Sequence, residues 1–156
     1  MISRAQNMLD QAERAVRALE GLQPVAQLAA RLYVAKVFLL SGLTKVRDWD
    51  TTLALFMDEY HVPLLPPELA AWLGTGAELA LPILLVIGLG GRVAALGLFV
   101  LNGVAVLSLG DVAEAAQQQH VFWGSLLAAL VLWGPGRLSI DAWRSQRARK
   151  ACSTAR

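Results

Sequence analysis

Apolar positions along the chain gather into four long runs, with most of the charges in the stretches between and beyond them. A helix needs roughly 20 mostly apolar residues to cross a hydrocarbon layer of about 30 Å. Residues 24–43 (PVAQLAARLYVAKVFLLSGL) have that length and carry Arg31 and Lys36. Residues 71–89 (AWLGTGAELALPILLVIGL) carry Glu78, and residues 93–109 (VAALGLFVLNGVAVLSL) carry Asn102 but no charge. A shorter run, residues 118–134, has His120 near its start. The pattern predicts an all-α protein built as a four-transmembrane-helix bundle.

The flanks have a different periodicity. Ile2, Ala5, Leu9, Ala12, Val16 and Leu19 recur at three-to-four spacing, with Arg4, Arg14 and Arg17 among the polar positions. This predicts an amphipathic helix over residues 1–22, lying on a membrane surface or on a neighbouring helix. Pro24 then opens a second helix, since proline is tolerated in a first turn. Behind the fourth run, Ser139 is placed to cap a short C-terminal helix with Asp141 in its first turn. The membrane domain is thus residues 23–143, and residues 144–156 form a basic tail. Its Arg144, Arg147, Arg149 and Lys150 suit anionic headgroups.

The longest connection, residues 44–70, contains Leu53, Leu55, Phe56 and Tyr60, which predict a short helix ending before His61. Pro63, Pro66 and Pro67 then redirect the chain into the second span. The turns Gly88-Leu-Gly90-Gly91-Arg92 and Gly134-Pro-Gly136-Arg137 resemble one another, as the two halves of a duplicated hairpin would.

Composition sharpens this picture. The 156 residues suffice for one domain, and they are 56% hydrophobic and 17% charged, against about half and a quarter in soluble domains. Residues 1–20 lack the continuous apolar core of a secretory signal. Two histidines and one cysteine give no metal-finger spacing, and Cys152 has no partner for a disulfide within the chain. No metal is expected, and a thiol–disulfide relay carried by this chain alone is excluded.

Orientation follows from the Lys/Arg bias of the loops. With the N-terminus inside, the inner segments hold Arg4, Arg14, Arg17, Arg92, Arg137 and the basic tail through Arg156. The outer ones hold Lys45 and Arg47, then Asp111 and Glu114. The expected placement is multi-pass in a bacterial inner membrane, N-in and C-in. Trp49, Trp72 and Trp123 then fall at the outer boundary and Trp133 and Trp143 at the inner one, the headgroup level that indole favours.

Ionised groups inside spans cost about 2.5–3.5 kcal/mol each on insertion scales and normally face partners in the bundle. Two pairings are open to Glu78: Lys36 at its own depth, or the longer forked Arg31 about 7 Å deeper. Arg31 and Lys36 point about 140° apart on an ideal helix, whereas Arg31 and Lys45, 14 residues apart, share a face. A polar column is expected to run from Lys45 and His120 through Glu78 to Arg31, with Asn102 and Lys36 near its middle layer. Such a column either locks the helices together or forms a pocket for a polar headgroup, with Glu78 or His120 moving a proton.

These residues also carry a family resemblance. Arg31-Leu-Tyr-Val-Ala-Lys-Val-Phe-Leu-Leu-Ser-Gly-Leu-Thr-Lys45 resembles the first helix of the DoxX family. Gly76-Ala-Glu78-Leu with Pro82 and Gly88-Leu-Gly90 resembles its second helix, with an embedded glutamate. His120-Val-Phe-Trp and Gly134-Pro-Gly-Arg-Leu-Ser139-Ile-Asp141 resemble its fourth helix and the turn after it. The resemblance covers about residues 28–143. Ala35 and Lys36 stand where a small apolar pair is expected, and the N-terminal helix is an addition.

The resemblance implies a four-helix inner-membrane protein. Relatives are associated with quinone-linked oxidation of sulfur compounds, membrane oxidoreductase assemblies and operons for modified metal-binding peptides. The leading expectation is an oxidoreductase subunit without activity of its own, in which Glu78 and His120 exchange protons while Arg31 and Lys45 hold quinone oxygens. Quinone is the candidate cofactor, and none is expected to be covalently bound. The alternatives are a non-catalytic membrane scaffold or anchor for a soluble partner, and a small-solute transport component. Candidate partners are membrane lipids, a soluble redox or peptide-modifying protein, and further copies of this chain. Nucleic acid is not expected.

Overall fold

The computed structural model describes residues 2–62, 64–108 and 113–154, with side chains described within residues 11–148 and at Lys150. Pro63, Asp111 and Arg156 therefore lie outside the described residues, as do the side chains of Ile2, Arg4, Ala5, Leu9, Arg149 and Cys152. The described chain is six α-helices: α1 (Ile2–Arg47), α2 (Trp49–Asp58), α3 (Pro67–Ile87), α4 (Gly91–Ser108), α5 (Glu114–Trp133) and α6 (Ile140–Thr154). The all-α class is as the apolar pattern predicts.

The front of the chain differs from the expectation. α1 is one helix of 46 residues running straight through Pro24, so the expected surface helix and first span are continuous. Pro24 withholds a hydrogen bond from the Glu20 carbonyl. That carbonyl lies in an exposed stretch where water can take the bond, and the surrounding Ala, Leu, Gln and Arg residues favour helix.

A second correction concerns the number of spans. Among the described residues three helices, not four, are long and apolar enough to cross a membrane: the Gln11–Arg47 part of α1, α3 and α4. The fourth run lies in α5, whose front half is made polar by Gln117, Gln118, Gln119 and His120. α5 nevertheless packs antiparallel to α4, and its Leu127 and Leu130 enter the core.

That core joins Val34 and Phe38 of α1, Leu85 of α3, Ala94, Ala95 and Leu98 of α4, and the two α5 leucines. Small alanines on α4 let its neighbours approach closely, the usual solution where lipid offers no hydrophobic drive. A second cluster, Phe56 with Ala70 and Ala71, seats α2 across the start of α3. Asp48 makes the corner between α1 and α2, its carboxylate accepting from Thr51 N–H at 3.1 Å. Pro67 occupies the first turn of α3, where its missing N–H costs nothing. The tryptophans divide. Trp72, Trp133 and Trp143 are exposed, as interfacial indoles should be, and Trp49 packs against Trp72 with the rings tilted at 43°. Trp123 departs from the expected boundary position: it packs edge-on against Phe38 and His120 inside the bundle.

Candidate functional site

Arg31 is the most buried charge among the described residues, at 1% exposure, and it is not part of a column with Glu78. Its guanidinium donates only to main-chain carbonyls. Nε reaches Leu85 at 2.8 Å, Nη1 reaches Pro135 and Leu138 at 2.8 Å each, and Nη2 reaches Val86. Leu85 and Val86 end α3, where helix carbonyls lack intrahelical partners and carry partial negative charge. Pro135 and Leu138 belong to the turn between α5 and α6. The planar fork of arginine suits this divergent set of acceptors.

The two glycine turns meet at this clamp. Gly88 (φ 69°), Gly90 (φ 58°), Gly134 (φ 86°) and Gly136 (φ 78°) all have positive φ. Around Gly88 the Leu89 N–H bonds Leu84 O at 3.1 Å and the Gly88 N–H bonds Leu85 O at 3.2 Å, closing α3 as a Schellman motif. Asp141 accepts from Gly90 and Gly91 N–H at 3.1 and 3.0 Å, so it caps α4 rather than serving only its own helix. Ser139 caps α6 as predicted, accepting from Ala142 N–H at 3.2 Å. At this end of the bundle Arg31, Ser139 and Asp141 spend their side chains on capping helices and turns.

The other end differs. Lys45 donates to both Glu78 oxygens at 2.6 Å, so Glu78 pairs with neither Lys36 nor Arg31. The reason is helix phase and reach. Lys45 returns to the Arg31 face after 14 residues, roughly 21 Å along the axis, while Lys36 is exposed on a different face. Gly42 makes the contact feasible: a Cβ there would lie 3.0 Å from Glu78 Cβ and from a Leu79 methyl. One turn on from Glu78, buried Pro82 leaves the Glu78 carbonyl without its helical donor.

Asn102 and His120 form a second pair. Asn102 Nδ2 donates to the His120 carbonyl at 2.9 Å, and Asn102 Oδ1 lies 2.8 Å from His120 Nδ1. Lys45, Glu78 and His120 all line one cavity of about 580 Å³ with Phe56, Tyr60 and Trp123. Its remaining wall is mainly aliphatic. Burial, with help from the Glu59 and Glu78 carboxylates, pushes the Tyr60 phenol above its ordinary value. Tyr60 was legible in the sequence only as an apolar face of a loop helix. Nothing there signalled that α2 would fold back over the bundle.

The structure thus brings together Glu78, His120, Lys45 and, behind the histidine, Asn102. It removes Arg31 to the opposite end and Lys36 to the surface. The cavity offers donors, acceptors and one ion pair on a mostly apolar wall. Among the described residues no group of three or more His, Cys, Asp or Glu side chains could hold a metal ion.

Comparison with known proteins supplies the family. The chain is 30% identical over 126 residues to an uncharacterized protein of Haemophilus influenzae, a match covering 75% of this chain and 82% of that one. No solved structure matches it. The DoxX family model matches residues 26–111, the stretch that contains Arg31, Lys45, Glu78 and Asn102. With its long apolar helices, this chain is a membrane protein of the DoxX family.

Proposed function

We propose that the protein is a small membrane subunit that holds a quinone-like molecule in the Lys45–Glu78–His120 cavity for a redox partner. The observation that carries this reading is a mostly apolar cavity of about 580 Å³ with three ionisable groups and a phenol on its wall. Ligand pockets have this character, apolar with a few convergent polar groups. An isoprenoid-type tail suits the aliphatic wall. Tyr60 is a donor for a ring oxygen, while Glu78 and His120 are placed to exchange protons. A quinone becomes a quinol by taking up two electrons and two protons, and the electrons belong to the partner.

On this reading α5 makes the fourth crossing, with His120 of its polar front half lining the cavity and Gln117, Gln118 and Gln119 exposed. The Arg31 end, with Arg92, Arg137 and the basic α6, faces the cytoplasm of a bacterial inner membrane. Purification with bound lipid tests the proposal: extraction should recover a quinone. His120→Ala should reduce partner turnover by about 100-fold or more, the scale of a lost acid–base group, and Tyr60→Phe should weaken quinone occupancy by about 2- to 10-fold, the worth of one hydrogen bond. Extracts free of quinone, with turnover unchanged in His120→Ala, would reject it.

One observation favours a second reading, a membrane anchor for a soluble partner. Val16, Leu19 and Leu22 are 53–66% exposed on the part of α1 beyond the core. Removing residues 2–22 would then release the partner while leaving the bundle folded.

A further inference from the structure

We infer that the cavity selects its ring ligand in the hydroxyl-bearing form, a quinol whose O–H donates to Nε2 of His120, and that Asn102 imposes this choice. The inference rests on the ligand reading above and assigns which form binds.

The argument starts from the Asn102 amide, which has a donor end and an acceptor end. The His120 carbonyl can only accept, so the atom 2.9 Å from it must be the amide nitrogen. The amide oxygen is thereby fixed toward His120 Nδ1, at 2.8 Å. An amide oxygen only accepts, so Nδ1 must carry a hydrogen. A neutral imidazole has one protonated nitrogen and one lone pair. The lone pair is therefore on Nε2, and no protein partner for Nε2 occurs among the described residues. Trp123, edge-on to the ring at 5.0 Å between centroids, holds it in place.

The donors on the cavity wall, the Tyr60 hydroxyl and the unpartnered Trp123 Nε1–H, serve either form, since a quinol oxygen also accepts; the choice falls to the acceptors. Glu78 as a carboxylate can only accept, and Lys45 already spends its ammonium on both Glu78 oxygens and on Ser41 Oγ at 3.4 Å. A quinone carries acceptor oxygens alone and would set lone pair against lone pair at His120. A quinol brings two O–H donors. Asn102 is thus a positioning residue, acting through the tautomer of His120.

Two measurements on the full-length protein in lipid nanodiscs test this. In ¹⁵N-histidine NMR, with His61→Gln used for assignment, the neutral His120 ring should show a protonated Nδ1 and a bare Nε2. Quenching of tryptophan fluorescence under argon should then rank a short-chain ubiquinol above the matching ubiquinone and above the quinol dimethyl ether, by about 2- to 10-fold, the worth of one hydrogen bond. Asn102→Leu should mix the tautomers and shrink that ranking; should this variant not fold, the wild-type results decide alone. A protonated Nε2, or an ether that binds as well as the quinol, overturns the inference and leaves the ligand reading standing. Binding of none of the three overturns both.

Discussion

The Lys45 ammonium lies 2.6 Å from each oxygen of Glu78, joining the last turn of α1 to the middle of α3 beside the cavity. The side chains are 22% and 10% exposed, so solvent screens the pair weakly. Removing one partner of such a pair leaves an uncompensated charge, at about 3 kcal/mol. Lys45→Met and Glu78→Gln should each lower thermal stability in detergent by that order. The double variant Lys45→Met with Glu78→Gln should cost clearly less than the sum, and a strictly additive double-mutant cycle would show that the two groups do not interact.

Arg31 should prove more demanding. Each hydrogen bond from a charged donor is worth about 1.5–3 kcal/mol, and Arg31 makes four. Arg31→Ala strands carbonyls from α3 and from the α5–α6 turn, and should abolish folded protein or lower its yield severely. Arg31→Lys keeps the charge but loses the fork, so it should fold with lowered stability. Size-exclusion profiles and melting curves in detergent distinguish these outcomes, and wild-type behaviour of the lysine variant would refute the clamp.

Gly88 and Gly90 permit a finer test. Both have positive φ, yet a Cβ at Gly88 would meet Ser139 Cβ at 2.5 Å, while one at Gly90 meets nothing within 4 Å. Gly90→Ala should cost only the backbone term, about 1–2 kcal/mol. Gly88→Ala should cost measurably more, because α6 must shift. Equal melting temperatures for the two variants would contradict the packing described.

Tyr60 predicts a pH dependence. Burial, then Glu59 and Glu78, hold its phenol neutral above the ordinary value of 10.0. A phenol that ionises more readily in the unfolded chain contributes stability present below about pH 10 and lost as pH rises further. Denaturation midpoints should therefore fall above pH 10, and less steeply in Tyr60→Phe. Asp48 acts at the other extreme. Its bonds from Thr51 lower its pKa below 3.8, so its contribution is lost as the pH drops through that region, with α2 fraying at its first turn. Circular dichroism across both limits reads the two effects.

Several features were legible in the sequence because they depend on local pattern. The all-α class, Ser139 as a cap, the proline entry to α3 and the helix ending before His61 all follow from periodicity and from residues that act on their neighbours. So did the shared face of Arg31 and Lys45. The pairing of Glu78 was not legible, since side-chain depth in one helix says nothing about the stagger of the next. Gly42, by allowing close approach, sets that stagger. The break expected at Pro24 was misread because exposure of the preceding turn lets water replace the lost bond.

The sequence by itself determined that this chain is helical, that its long apolar runs belong in lipid, and that ionisable groups within them must find partners. Only the tertiary structure decided which partners. It sent Arg31 to main-chain carbonyls at one end and gathered Lys45, Glu78, His120 and Tyr60 around a cavity at the other. The physical reason is that burial makes an unpaired charge costly, while helix packing alone fixes which donor lies within reach of which acceptor.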